Sequence, residues 1–531
     1  MELRNTSWTW LLGLVVCWAL IVLQRASYWT APFLNYDESL WLIGGQMIKA
    51  GALPYRDFWF FTTPGVFYLY ALSAYLTPWS TLAIRVLLTA FHCVTALVLW
   101  RLGALTSRPW SGLLAALAFS LSCSAFQFTD HQAAECEGFM ILFSSAAVWF
   151  LLSALSTGSA RRAFLSGVCS CLAFLIKQVA ALDGLAIVMS LVLLAARGAI
   201  RRRQAAQLLF WIALGALLPA AAILLVFHLH GGLNDLVYCV FQYPFHVYTT
   251  RPDTWRIIGN AWWTLFLSNP AVYGTSVMAT AMLPFALLLR RVDWLRIVLP
   301  ILLWNAAALI GALLGRHPFA HYFLQTLPPA CLMLGIGLGG FSAILPNVQD
   351  AQRAWLLVQR AATIFLLAAV SFPSIVRYTI GEHAHVPSWS SERQIGEFIR
   401  RRTGAEDRVF VWGFAMMVYC YSERLPACPD ITSHFVSGWD PTVRNEDFDQ
   451  RIVPGALKRC VSELRRTPPA FIVDYSPAGY VPLNRFPELA RLVETEYKLA
   501  ARFETSWYGY ASGHVDLLVP RGAGVAPPTK K

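Results

Sequence analysis

The chain has 531 residues, 57% of them hydrophobic and only 14% charged, against roughly 25% charged in an ordinary soluble protein. That balance excludes a soluble enzyme and a charge-rich disordered chain. Forty-two Lys and Arg against thirty Asp and Glu leave a net charge of +12. With charges so sparse, the excess reads as membrane topology rather than a nucleic-acid footprint, and no nucleic-acid partner is expected.

A membrane helix needs about 20 apolar residues, and about eleven such runs are expected here. In chain order they are Trp8 to Leu23, Leu82 to Leu102, Leu113 to Phe128, Phe139 to Leu155, Phe164 to Ile176, Ala180 to Ala196, Leu208 to Phe227, Val272 to Leu289, Ile297 to Leu314, Leu324 to Leu345 and Trp355 to Val376. The fifth and sixth are short and meet near Lys177, as one hairpin or a broken pair. The first run lacks a small-residue cleavage site and reads as a retained helix, not a signal peptide. One set of alternate loops holds Arg4, Arg101, Arg108, Arg161, Arg162, Arg197, Arg201 to Arg203, Arg290, Arg291, Arg296, Arg353 and Arg360. The positive-inside rule then places the amino terminus in the cytoplasm and the other loops and the carboxyl terminus on the outer face.

The first outer loop, residues 24–81, is the most informative. It holds Asn35-Tyr36-Asp37-Glu38, then Gly51-Ala52-Leu53-Pro54-Tyr55-Arg56-Asp57, then Thr62-Thr63-Pro64-Gly65. Adjacent carboxylates just beyond a span are costly unless solvated, paired or used. Asp37 and Glu38 therefore suit a reactive site or, equally, the amino-terminal cap of a helix. Trp41, Ile43, Gly44, Met47 and Ile48 predict one amphipathic helix and Phe58 to Leu76 a second apolar one, both suited to the membrane interface.

After the third span comes Asp130-His131-Gln132-Ala133-Ala134-Glu135-Cys136-Glu137. His131 and Glu135 would share a helix face, but two ligands do not make a metal site. Lys177 either snorkels to the headgroups or binds a phosphate. Gly315-Arg316-His317-Pro318-Phe319-Ala320-His321-Tyr322 gathers a cation, histidines and a tyrosine within a turn or two. From about Arg377 charge and proline return, and the text reads as a small α/β domain: helix at Trp389 to Arg402, strands at Arg408 to Trp412 and Ala470 to Asp474, helix at Pro487 to Leu499. The expected division is a transmembrane module over residues 1–380 and an outer soluble domain over residues 381–531. Of the eleven cysteines, most lie in apolar runs. In the tail, a Cys420–Cys428 disulfide with Cys460 free is one pairing that an oxidising compartment allows.

The Asp-Glu pair, the Gly-x-x-x-Tyr-Arg-Asp turn, the Pro-Gly step and the Tyr-rich helix resemble the first loop of the GT-C membrane glycosyltransferases. The pattern is most similar to the bacterial protein O-mannosyltransferase-like and aminoarabinose transferase-like members, glycosyltransferase family 39 or related. The Arg316 to Tyr322 segment with Pro328 and Pro329 is similar to that family's basic His-Tyr segment. The resemblance covers roughly residues 1–380. It implies a polytopic α-helical membrane protein of GT-C fold that transfers a hexose or pentose from a polyprenyl-phosphate-linked donor to a glycan, lipid or protein acceptor, with inversion. By this resemblance Asp37 is the base and Glu38 supports it. Arg316, His321, Tyr322, Lys177 and Arg85 are candidates for the donor phosphate, with Arg256 a further cation. Glu135, Glu137 and Asp57 are candidates for acceptor binding or a second acidic site. No cofactor is expected, a divalent metal being the less favoured alternative. One departure is that Thr62 and Thr63 stand where lipid A-modifying relatives commonly carry a Lys before the proline, so a substitute cation such as Arg85 is needed. The rival class is a transporter or flippase, which usually shows repeated halves and mid-membrane charge; neither is visible here.

Overall fold

The computed structural model describes residues 8–106, 109–123, 132–245, 292–314, 319–340, 389–439, 448–505 and 513–522, with short helical stretches between 256 and 277. Two compact units emerge, and they do not follow the expected division at residue 380. One comprises residues 1–31, 84–226 and 251–386; the other comprises 32–83, 227–250 and 387–531.

The first unit is helical. Among the described residues, five helices are long and apolar enough to cross a membrane: Leu82–Leu105, Cys136–Thr157, Gln178–Ala196, Arg202–Leu229 and Leu295–Leu314. Shorter apolar helices are Trp10–Ala26 and Trp110–Ser122. With no water to satisfy peptide groups in hydrocarbon, apolar runs of this length have helix as their only open-ended solution. The expected span at Trp355 to Val376, and most of Val272 to Leu289, lies outside the described residues. The fifth and sixth spans are two helices with a break. Ala160–Ile176 ends at Lys177, which is extended (φ −151°, ψ 134°), and a 3-10 turn over Gln178–Ala180 leads into Ala181–Ala196.

Small residues set the helix packing, as expected where lipid is as apolar as the side chains. A Cβ on Gly167 would strike the Ile212 carbonyl oxygen, and one on Gly215 would strike that of Phe164. The Ala160–Ile176 and Arg202–Leu229 helices thus meet backbone to backbone. Leu99, Phe119, Val148, Leu191, Trp304 and Phe323 are among the residues of the unit's common core.

In the second unit, helices Tyr36–Lys49 and Gly65–Leu76 pack together, with Gly45 against the main chain of Tyr70 and Ala71. The first was expected to lie one-sided at an interface. Instead Glu38 through Met47 are all buried, because Trp41, Phe58, Phe60 and Phe67 form a ring cluster around it and the Met417–Ser422 helix packs on it. Residues 32–83 group with the tail for the same reason. Trp59 N–H donates to Pro429 O at 2.9 Å, and the Trp389 indole N–H donates to Phe33 O at 2.5 Å.

The tail builds a four-stranded sheet in the order β1-β2-β4-β3, from β1 (Val409–Trp412), β2 (Phe471–Asp474), β3 (Tyr497–Thr505) and β4 (Gly513–Pro520). β1 and β2 are parallel and the other pairs antiparallel. Both short strands were legible, as was the helix that forms over Ser390–Arg400. The helix expected to reach Leu499 stops at Glu496, because Tyr497, Lys498 and Leu499 pair with Pro520, Val519 and Leu518 of β4. The disulfide joins Cys428 to Cys460 rather than Cys420 to Cys428. Cys420 is buried in the Met417–Ser422 helix, where its thiol donates to Ser39 O at 3.6 Å.

Candidate active site

In the second unit, Asp37 occupies the first turn of the Tyr36–Lys49 helix. That helix starts because Asn35 caps it: extended at φ −153°, it accepts from Glu38 N–H at 3.1 Å. Glu38 reaches back, its Oε2 accepting from Leu34 N–H at 2.9 Å. This reciprocal arrangement is close to a capping box, and it buries Glu38 completely. The capping reading of the acidic pair is therefore realised by Glu38 with Asn35, and neither bond uses Asp37. Asp37 is half-buried in the first turn of this helix. Next to it, Tyr36 stacks edge-on against Trp389 at 4.6 Å.

Asp57 serves the following turn. Its Oδ2 accepts from Leu53 N–H at 2.7 Å and from Arg56 Nη2 at 2.6 Å, and its Oδ1 accepts from Arg56 Nε at 2.9 Å. Partial burial alone would raise its pKa. The Arg56 and Leu53 hydrogen bonds and the charges of Arg56 and Arg459 outweigh that and hold the carboxyl below its ordinary range. A carboxylate so engaged fixes the Tyr55 to Phe58 turn, in which Tyr55 is left-handed at φ 67°.

In the first unit three helix ends bring charges together. Glu135 is the N-cap residue of the Cys136–Thr157 helix and Glu137 lies in its first turn; they are 2% and 0% exposed, so plain loop polarity does not describe them. The helix starts only at Cys136, and the expected pairing of Glu135 with His131 falls on a residue outside the described ones. Lys177, the C-cap of Ala160–Ile176, forms an ion pair with Glu137. It does not snorkel. Its ammonium sits 3.9 Å from the centre of the Tyr322 ring, a cation–π contact made at low exposure. Tyr322 and His321 belong to the 3-10 turn Ala320–Thr326, with rings 4.9 Å apart, and His321 stacks on Phe319 at 5.5 Å. A Glu135 carboxylate oxygen and a His321 ring nitrogen come within 4.8 Å of each other. Such a cluster offers a fixed cation, a phenol and an imidazole to an anion, and buried carboxylates to a hydroxyl.

Residues 62–225 match the family model of dolichyl-phosphate-mannose-protein mannosyltransferases. Comparison with curated protein sequences gives no match. Among solved structures, ArnT from Cupriavidus metallidurans in the apo state aligns at 13% identity over 98% of this chain and 99% of that one, TM-score 0.63. The same enzyme bound to undecaprenyl phosphate aligns at 14% over 99% and 100%, TM-score 0.60. The archaeal oligosaccharyltransferase AglB from Archaeoglobus fulgidus, in complex with an inhibitory peptide and a dolichol-phosphate, aligns at 12% over 97% and 74%, TM-score 0.56.

The chain has the fold of ArnT and AglB, the GT-C fold. The remaining candidates divide. Arg316 lies outside the described residues. Arg256 is an exposed helical residue. Arg85 is 1% exposed and its Nη1 donates to the carbonyls of Tyr28 and Ala31, both at 2.7 Å, so it ties down the chain after the first helix. Thr62 and Thr63 are buried. Arg25 was not singled out from sequence: 2% exposed, its Nη2 donates to Gln132 O at 3.0 Å. A lone arginine at the end of an apolar run looks like an interface anchor, and only its buried acceptor distinguishes it. The intramembrane Ser144 to Asp183 hydrogen bond, 2.6 Å, was missed for a similar reason, since each residue alone is unremarkable text.

Proposed function

We propose that the protein is an integral membrane glycosyltransferase that moves a hexose or pentose from a polyprenyl-phosphate-linked donor to a glycan, lipid or protein acceptor at the outer face of the membrane, with inversion. The observation that carries this reading is the fold match, along nearly the whole chain, to ArnT bound to undecaprenyl phosphate. In this reading Asp37 takes the proton of the acceptor hydroxyl as its oxygen attacks the anomeric carbon. The bond from that carbon to the phosphate oxygen breaks, and the charge developing on the lipid phosphate is stabilised by Lys177, Tyr322 and His321, with Arg316 as a further cation. Glu135 and Glu137 serve the acceptor side or set the charge of Lys177. No step is routed through a divalent metal. The asymmetry of arginine between alternate loops supports a cytoplasmic amino terminus and a periplasmic carboxyl terminus in a multi-pass cell membrane.

The test is thermal stabilisation of the purified protein by undecaprenyl phosphate and a panel of polyprenyl phosphosugars, followed by transfer assays with the sugars that bind. A ligand at a hundredfold excess over its Kd adds about 2.7 kcal/mol. Stabilisation lost in Lys177→Met/Glu137→Gln, a charge-neutral double variant, supports the assignment. A folded protein that no polyprenyl lipid stabilises refutes it.

A further inference from the structure

The turn that follows the Asp37 helix is gripped at two points that one covalent bond ties together. Cys428 and Cys460 are bonded, their Cα atoms 5.3 Å apart across a sequence separation of 32. Pro429, the residue after Cys428, accepts the Trp59 N–H at 2.9 Å. Arg459, the residue before Cys460, donates from Nη2 to the Arg56 carbonyl and holds its guanidinium 4.9 Å from the centre of the Trp59 ring. Its Nη1 lies 3.9 Å from Asp235 Oδ1. Both arms therefore end on the Arg56 to Trp59 segment, one on its first carbonyl and the other on its last amide. Tyr55, just before it, is left-handed at φ 67°, a conformation that persists in a bulky residue only where the surroundings over-determine it.

We propose that Arg459, held in place by the Cys428–Cys460 bridge, is a positioning residue for the Arg56 to Trp59 turn. A planar guanidinium suits the task because it can stack on an indole face while its fork donates elsewhere. The bridge suits it because it fixes the distance between Arg459 and Pro429, so the turn meets a preset frame. This inference goes beyond the proposed reaction and does not depend on it.

Hydrogen exchange of the full chain in detergent tests it, comparing peptides across residues 53–62 with β2 as the internal reference. Arg459→Ala, and separately Cys428→Ser/Cys460→Ser, should raise exchange of the turn severalfold while β2 stays as in the wild type. Arg459→Lys, which keeps a cation near Trp59 but loses the planar fork, should restore only part of the protection. Unchanged exchange at the turn overturns the proposal. So does a rise of equal size in β2, which would mark the bridge and Arg459 as general supports of the domain, and so does an Arg459→Lys variant as loose as Arg459→Ala.

Discussion

The Lys177 ammonium lies over the Tyr322 ring and is ion-paired with Glu137, whose side chain is wholly buried. Removing one member of a buried pair strands the other, which typically costs about 3–5 kcal/mol. Lys177→Met should therefore lower the melting temperature sharply, and Lys177→Met/Glu137→Gln should recover most of the loss. Transfer should stay depressed by about a hundredfold in the double variant, the usual effect of removing one group that stabilises developing charge. Full transfer by a refolded double variant would take Lys177 out of the chemistry.

Asp37 and Glu38 are neighbours in sequence with opposite expected phenotypes. Asp37→Asn should leave stability within about 0.5 kcal/mol, as partly exposed substitutions usually do, and cut transfer by about a hundredfold or more. Glu38→Ala should instead cost about 1–3 kcal/mol, because the buried Leu34 N–H loses its acceptor. Thermal melts and transfer rates on the two variants separate the roles; an active Asp37→Asn protein ends the base assignment.

Gly167 permits backbone contact between two apolar helices. Gly167→Val should cost about 1–3 kcal/mol by forcing the Ala160–Ile176 and Arg202–Leu229 helices apart. Gly184→Ala is the matched control, since a Cβ there meets nothing within 4 Å. Melting temperatures in detergent that fall equally for both variants would contradict the close packing.

Asp430 gives the tail a pH-dependent stability. Burial pushes its carboxyl up to about 6, against the hydrogen bonds from Val436 N–H, Thr432 and Phe435 that pull it down. The folded chain thus holds this proton more tightly than the unfolded chain, whose aspartates titrate near about 3.9. The stabilisation is complete below that value and is lost as pH rises through about 6. Asp430→Asn should flatten the stability profile between about pH 4 and 7. Melts of wild type and variant with the same slope across that window would show that another group is responsible.

The acidic pair was legible as a pair but not residue by residue, because capping and catalysis ask for the same residue type at the same place; Asn35, which accepts from Glu38 N–H, puts Glu38 in the cap. In the tail, β1 and β2 were legible from short apolar runs, whereas β4 was missed although Val515, Leu517 and Val519 alternate and are all buried. Its ladder with β3 also overrides the helical reading of Tyr497 to Leu499.

Sequence alone determined that this is a polytopic helical membrane protein with an acidic first loop and an α/β tail. Runs of apolar residues have few outcomes in lipid, and the turn residues around Asp37 and Asp57 constrain the backbone locally. Tertiary structure alone decided which groups meet: Lys177 with Glu137 and Tyr322, Arg85 with the Tyr28 and Ala31 carbonyls, Cys428 with Cys460. Each of these contacts joins segments distant in the chain; a buried charge or donor is costly unless a partner meets it, and that partner is supplied by the fold, not by any local pattern of residues.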